Sequence, residues 1–256
     1  MAARAMWKAV LRLDDVQVPV KLYAGVEDRG VHFRLLHERD RVPVRQELVD
    51  PDTDDPVPRE DVRKGVPLPD REAFAVLSEG DLEALEPEPS RDIDVQAFVP
   101  PDVLDHRWYD RPYYLGPDGA AADYAALVEA LRASGREGVA RWVMRKKEYR
   151  GALRVHEGAL VLVSLRPASR VVAGGEVSVP QGRDLEPAEL ELAQRLIASL
   201  EGPFEPERWT DEHRERLLEL IDAKASGKTI DIEPHRRTRA EGASLREALE
   251  ASLASA

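Results

Sequence analysis

Apolar and polar residues alternate over residues 16–23, which puts Val16, Val18, Val20 and Leu22 on one side of an extended chain. Pro19 falls inside this run and has no amide hydrogen for a sheet ladder, so the pattern predicts an edge strand or a bulge there. Residues 31–37, 93–99 and 112–117 read as further strands, and the unbroken apolar run at 159–165 reads as a strand buried on both faces. Residues 50–61 are rich in Pro and Asp and read as a loop.

The helical signals are local. Ser78 and Asp81 have capping-box spacing and predict a short helix over 78–85. Tyr124, Leu127, Val128 and Leu131 recur at helical spacing, and Gly135 is a natural stop. Leu190, Ala193, Ile197 and Leu200 make a stripe on a helix opened by Pro187, which ends before Gly202-Pro203. A second helix runs over 210–226, with Leu217, Leu220 and Ile221 on one side and Gly227 after it. Residues 228–242 read as a polar linker, and 244–253 as a final amphipathic helix with Leu245, Leu249 and Leu253 aligned. Strands followed by helices predict an α+β class.

Composition narrows the function classes. None of the 256 residues is cysteine, which excludes disulfides, thiolate metal sites and a cysteine nucleophile. No apolar run is long enough to span a bilayer, and the first residues lack the apolar stretch of a signal peptide, so a cytoplasmic protein is expected. The net charge of −12 alone argues against a nucleic-acid partner. Its distribution argues otherwise. Residues 47–110 carry 6 basic and 19 acidic side chains, whereas residues 111–183 carry 12 and 7.

The basic island centres on residues 138–155, which hold six cations and one acid. Read with period two, Ala140, Trp142 and Met144 share one face, and Arg141, Val143, Arg145 and Lys147 the other. A turn near Lys147 and Glu148 then brings Arg150, Ala152 and Arg154 onto one face of a returning strand, with Lys146 beside the turn. Neighbouring like charges destabilise a sheet, so a row of cations kept clear of carboxylate implies a polyanion that offsets the repulsion. A solvated face that discourages edge pairing is the plainer alternative. No helix-turn-helix, zinc finger or aromatic RNA platform accompanies the row, so contact with duplex phosphate that is blind to sequence is the expected mode.

Other chemistry is thinly supported. His32 and His37 are five residues apart, an odd spacing that puts them on opposite faces of a strand. Asp52, Asp54 and Asp55 lack the spacing of a calcium loop, and Gly174-Gly175 lacks a strand–loop–helix setting. Trp7, Trp142 and Trp209 read as core anchors. No cofactor or metal is expected.

Seven collinear blocks resemble prokaryotic Ku proteins: AMWKAV at 5–10 with VQVPVKLY at 16–23, IDVQAFVP at 93–100, YDRPYYL at 109–115, GVARWVMR at 138–145, ELAQRLIASL at 191–200, GPFEPERW at 202–209 and LLELIDAK at 217–224. The resemblance implies a Ku-type β-barrel core with a bridge segment over residues 1–183 and a helical arm over 184–227. A linker and short C-terminal helix over 228–256 complete it. It further implies a homodimeric ring around double-stranded DNA ends that recruits an ATP-dependent DNA ligase for non-homologous end joining in the nucleoid. On this resemblance Arg141, Arg145 and Lys147 fall where the family's inner surface is basic. Arg34, Arg45 and Lys8 are further DNA-contact candidates. Leu196, Leu200, Leu217 and Ile221 are candidates for dimerisation, and Leu245, Leu249 and Leu253 for ligase contact. The competing class is a DNA-processing enzyme, a lyase or phosphodiesterase acting at breaks through a lysine or carboxylate.

Overall fold

Seven strands close into a barrel, and the reason is visible in their alternation. The computed structural model describes residues 4–176, 182, 186–228 and 249. The barrel strands are β1 (Trp7–Leu13), β2 (Val16–Ala24), β5 (Asp92–Val99), β6 (Tyr109–Pro117), β7 (Glu137–Met144), β8 (Lys147–His156) and β9 (Ala159–Leu165), while β3 (Lys64–Pro67) and β4 (Phe74–Leu77) pair with each other apart from it. Around the barrel the order is β1-β2-β6-β9-β8-β7-β5. Every neighbouring pair is antiparallel except β1 with β5, where Val10, Leu11 and Arg12 run parallel to Asp92, Ile93 and Asp94. A closed seven-stranded β-barrel in an α+β chain is therefore the observed class.

The inward positions form one core. Leu11, Val18, Val20, Leu22, Ile93, Leu115, Trp142, Leu153, Leu160 and Leu162 are all fully buried. Burial of each such side chain stabilises by about 1.5–3 kcal/mol relative to exposure. Two helices accompany the strands, α1 (Glu79–Ala84) and α2 (Ala121–Ser134). Helix α2 ends at Gly135, whose φ of 60° lies in the left-handed region that glycine tolerates. Leu131 of α2 joins the barrel core. The Tyr124 hydroxyl donates to the Leu115 carbonyl at 2.6 Å and accepts from the Leu160 amide at 3.0 Å, stapling the helix to β6 and β9.

Pro19 sits in neither an edge strand nor a bulge. It pairs with Val10 inside β2. Its carbonyl accepts from the Asp118 amide, so its nitrogen faces β6 where that strand has already ended. No ladder donor is lost there. Val16, at the start of the strand, is exposed rather than buried.

Residues 25–91 between β2 and β5 are mostly irregular. Residues 31–37 do not form a strand: only Leu36 pairs, in an isolated bridge to Pro43. Phe33, Leu35 and Leu36 are exposed, so no core enforces a pleat on this run. The segment also holds the small β3–β4 sheet. Helix α1 follows, opened by the Ser78–Asp81 capping box, both halves of which are made.

The chain divides into two units, residues 1–29 with 33–176, and residues 30–32 with 177–256. The first holds the barrel, α1 and α2. The second holds α3 (Pro187–Ser199), with proline in its first turn, and α4 (Glu212–Ala225), capped by Asp211. In α3 the stripe of Leu190, Ile197 and Leu200 is exposed, and the half-buried side is Leu192, Ala193 and Leu196. In α4 Leu217 is half-buried, Ile221 is exposed and Ala223 is buried. Trp209 is not a core anchor. It is 75% exposed and, among the described residues, stacks only on Phe204, with ring centroids 6.1 Å apart.

Candidate nucleic-acid interface

Strands β7 and β8 form the expected hairpin, with a tighter turn than its composition suggests. Met144 pairs with Lys147, so the loop is the two residues Arg145 and Lys146 rather than Lys147 and Glu148. Both loop residues have positive φ, 52° and 63°. Two-residue hairpin turns require this and normally recruit Asn or Gly. An L-residue with a long side chain costs roughly 1–2 kcal/mol at such a position. Without Asn or Gly in the run, composition did not mark the turn. The outcome is a strained tip that displays two cations.

The tighter turn also moves one residue. Lys147 has the parity of Tyr149 and Gly151, on the core side, and is exposed because it lies at the barrel rim. The outward face of the hairpin carries Arg141 and Arg150, which are direct cross-strand partners.

This surface is not clear of acid, contrary to the expectation from composition. Glu148 reaches both guanidiniums, at 2.7 Å to Arg141 and 3.6 Å to Arg150. Asp94 of β5 lies opposite Arg141 on its other side. At the tip, the Lys146 ammonium donates to Glu86 at 3.0 Å. That hydrogen bond and the charge of Glu86 raise the lysine above its usual pKa. Lys146 and Arg145 border an open cleft of about 670 Å3, whose lining also includes Trp7, Glu83, Glu86 and Arg91. Arg145 and Lys147 enter no ion pair among the described residues.

Two further candidate cations are engaged elsewhere. Arg154 lies 2.7 Å from the buried carboxylate of Glu137, with its guanidinium 5.4 Å from the centre of the Tyr109 ring. The Tyr109 hydroxyl donates to the same carboxylate at 3.1 Å. Burial, then the nearby carboxylate charge, push that phenol above its ordinary pKa. Lys8 of β1 and Lys21 of β2 both grip Asp118, at 2.9 and 2.8 Å. The hydrogen bonds from Lys21 and then Lys8 hold the Asp118 carboxyl below its usual range. Arg34 and Arg45 lie exposed in the irregular segment.

The remaining candidates are apolar. Leu196 and Leu217 are half-buried, and Leu200 and Ile221 are exposed. Leu249 is helical and buried, whereas Leu245 and Leu253 lie outside the described residues. No three potential metal-ligating side chains come together among the described residues. No described helix is long and apolar enough to cross a membrane.

The acids are what sequence reasoning missed. Glu148 shares the parity of Arg150 and was visible as its neighbour on the strand. Glu86, Asp94 and Glu137 come from other positions in sequence and carry no local signal. Residues 12–191 match the family model described as the Ku70/Ku80 beta-barrel domain. The chain belongs to the Ku family. A relative named non-homologous end joining protein Ku from Anaeromyxobacter sp. (strain K) is 36% identical, over 99% of this chain and 86% of that one. The similarly named Ku 2 of Geotalea uraniireducens is 35% identical, over 91% of this chain and 90% of its own. The Ku of Bacillus subtilis is 31% identical, over 97% and 81%.

Proposed function

We propose that this Ku chain binds the ends of double-stranded DNA without reading sequence, as half of a homodimeric ring, and performs no chemistry itself. The observation that carries the DNA contact is the β7–β8 hairpin. Arg141 and Arg150 stand on its outward face, Arg145 stands at its tip, where strained backbone holds a cation in place of the residues a turn prefers, and Lys147 stands beside it at the barrel rim. Side chains mounted on paired strands meet phosphates at fixed spacing and give register without base recognition. Arg34 and Arg45 add positive charge from the irregular segment. Lys8 and Arg154 serve the fold, through Asp118 and Glu137.

A closed ring explains a preference for ends by topology, since duplex enters it only at a terminus. The second copy has surface to meet: Phe33, Leu35, Leu36, Phe74 and Val76 are exposed apolar side chains in the irregular segment, and Leu200 and Ile221 are exposed on the helices. Ligase recruitment is assigned to the C-terminal leucine segment. Deletion of residues 243–256 then leaves DNA binding intact and removes stimulation of an ATP-dependent ligase. A binding role is also favoured over a lyase by Lys146 and Lys21. Both are held more firmly protonated by Glu86 and Asp118, the opposite of what an amine nucleophile needs.

The test is competition between a linear duplex and a covalently closed circle of the same sequence, at several salt concentrations. The linear form competes and the circle does not. Equal competition by the circle overturns the ring.

A further inference from the structure

We propose that Glu148 and Glu86 are internal stand-ins for DNA phosphate, so that a phosphodiester reaches Arg141, Arg150 and Lys146 by exchange with a carboxylate instead of settling on bare cations. The inference rests on the DNA reading above and deepens it. Arg141 and Arg150 are directly opposed, an arrangement that destabilises a strand pair unless an anion stands between them. Glu148 is that anion, with one carboxylate oxygen toward each guanidinium, as a backbone phosphate would offer two oxygens to two arginines. Glu86 does the same at the tip, with both oxygens 3.0 Å from the Lys146 ammonium.

Exposure separates these acids from the one that is permanent. The Glu137 side chain is 4% exposed and sealed under Tyr109 and Arg154. Glu148 and Glu86 are each 34% exposed, and their arginine and lysine partners are more open still. A phosphate can therefore reach the cations from solvent. When it does, the released carboxylate stays near the duplex and takes up a salt cation of its own. Net counterion release is then smaller than the number of phosphate contacts. The surface holds DNA loosely, with weaker salt dependence, and does not present bare cations to other polyanions.

The experiment measures binding of a short linear duplex between about 50 and 200 mM salt for wild type, Glu148→Gln, Glu86→Gln and Glu157→Gln, with circular dichroism confirming each fold. The last variant removes the same charge in the turn just past the opposite end of β8. Losing a competing exposed ion pair tightens binding by about 1.5- to 5-fold at low salt for Glu148→Gln and Glu86→Gln. The slope of log K against log salt steepens by about 0.9 for each cation set free. Glu157→Gln leaves both unchanged. Glu86 lies outside the barrel strands, so its variant tests the idea even where Glu148→Gln perturbs the hairpin. Wild-type affinity and slope in both variants overturn the exchange, as does an equal effect from Glu157→Gln. If wild type itself fails to bind duplex, the DNA reading falls first and this inference with it.

Discussion

Arg154→Met asks whether a cation of the basic hairpin serves the fold or the DNA. The substitution keeps most of the apolar stem and removes the guanidinium, leaving the Glu137 carboxylate buried with, among the described residues, only the Tyr109 hydroxyl as side-chain donor. Removing one member of a buried ion pair costs about 3–5 kcal/mol. Here the Arg154 side chain is 38% exposed, so solvent screening reduces the loss to about 2 kcal/mol. The lost contact with the Tyr109 ring adds about 0.5–1 kcal/mol. The sum of about 2–3 kcal/mol corresponds to a fall in Tm of about 4–12 °C for a domain of this size. Thermal and urea unfolding followed by circular dichroism measure it, and fluorescence anisotropy with a short duplex measures the salt slope. The slope stays at the wild-type value. Adding Glu137→Gln to the same variant removes the stranded charge, keeps an acceptor for the Tyr109 hydroxyl and recovers most of the stability. The reasoning is refuted if Arg154→Met melts within about 1 °C of wild type while its salt slope falls by about 0.9, the signature of a lost phosphate contact.

Three more outcomes follow from the same geometry. Gly151→Ala would place a Cβ 2.6 Å from the Val163 carbonyl oxygen and 2.7 Å from the Trp142 ring, which is buried and stacked on Tyr149. Neither neighbour can yield, so about 1–3 kcal/mol is lost and the midpoint of urea unfolding falls. Asp118→Asn breaks the links from Lys8 and Lys21. Because the Asp118 pKa is lowered in the folded chain, its contribution is present above about pH 4 and fades as pH falls through the lowered value. The variant is therefore less stable than wild type at neutral pH, and thermal melts show the gap closing in acid. Replacing the tip with Arg145→Asn and Lys146→Gly relieves two positive-φ residues, which raises Tm by a few degrees, while duplex affinity falls.

Local devices were legible because each is complete within a few residues. The Ser78–Asp81 box and the Gly135 stop fall where spacing put them. Strand β1 carries the same kind of local signal, an alternation of Trp7, Ala9, Leu11 and Leu13 whose middle pair is buried, which the strand reading above did not take up. What stayed hidden depends on pairing between distant residues. The parallel contact of β1 with β5 closes the barrel across the whole irregular segment, and no periodicity announces it. Residues 31–37 carry a strand-like pattern but find no sheet and remain exposed, so tertiary context overrode propensity. At the candidate site the cations were visible and their partners were not. Glu137 is 17 residues from Arg154, and Glu86 is 60 from Lys146. Only the fold sets those acids beside those bases.

The net charge of −12 and a DNA partner are reconciled by the range over which each acts. Charges farther apart than a Debye length of about 8 Å are largely screened at physiological salt. Acids of residues 47–110 that lie beyond that range therefore do not cancel the phosphate contacts proposed for β7 and β8, whereas Glu86 and Asp94 of the same block stand beside the hairpin cations. The acidic blocks do weaken the long-range attraction that draws basic proteins onto any stretch of duplex. Ion pairs made by the hairpin cations lower the close-range attraction as well, through Glu148 on β8 and Glu86 beside the tip. A chain built this way gains little from lateral collision with DNA. On the proposed reading its binding depends on placing several modest contacts at once, which a ring threaded by an end would supply and a transient encounter would not. On that reading weak individual contacts and topological capture are complementary, and the first makes sense of the second.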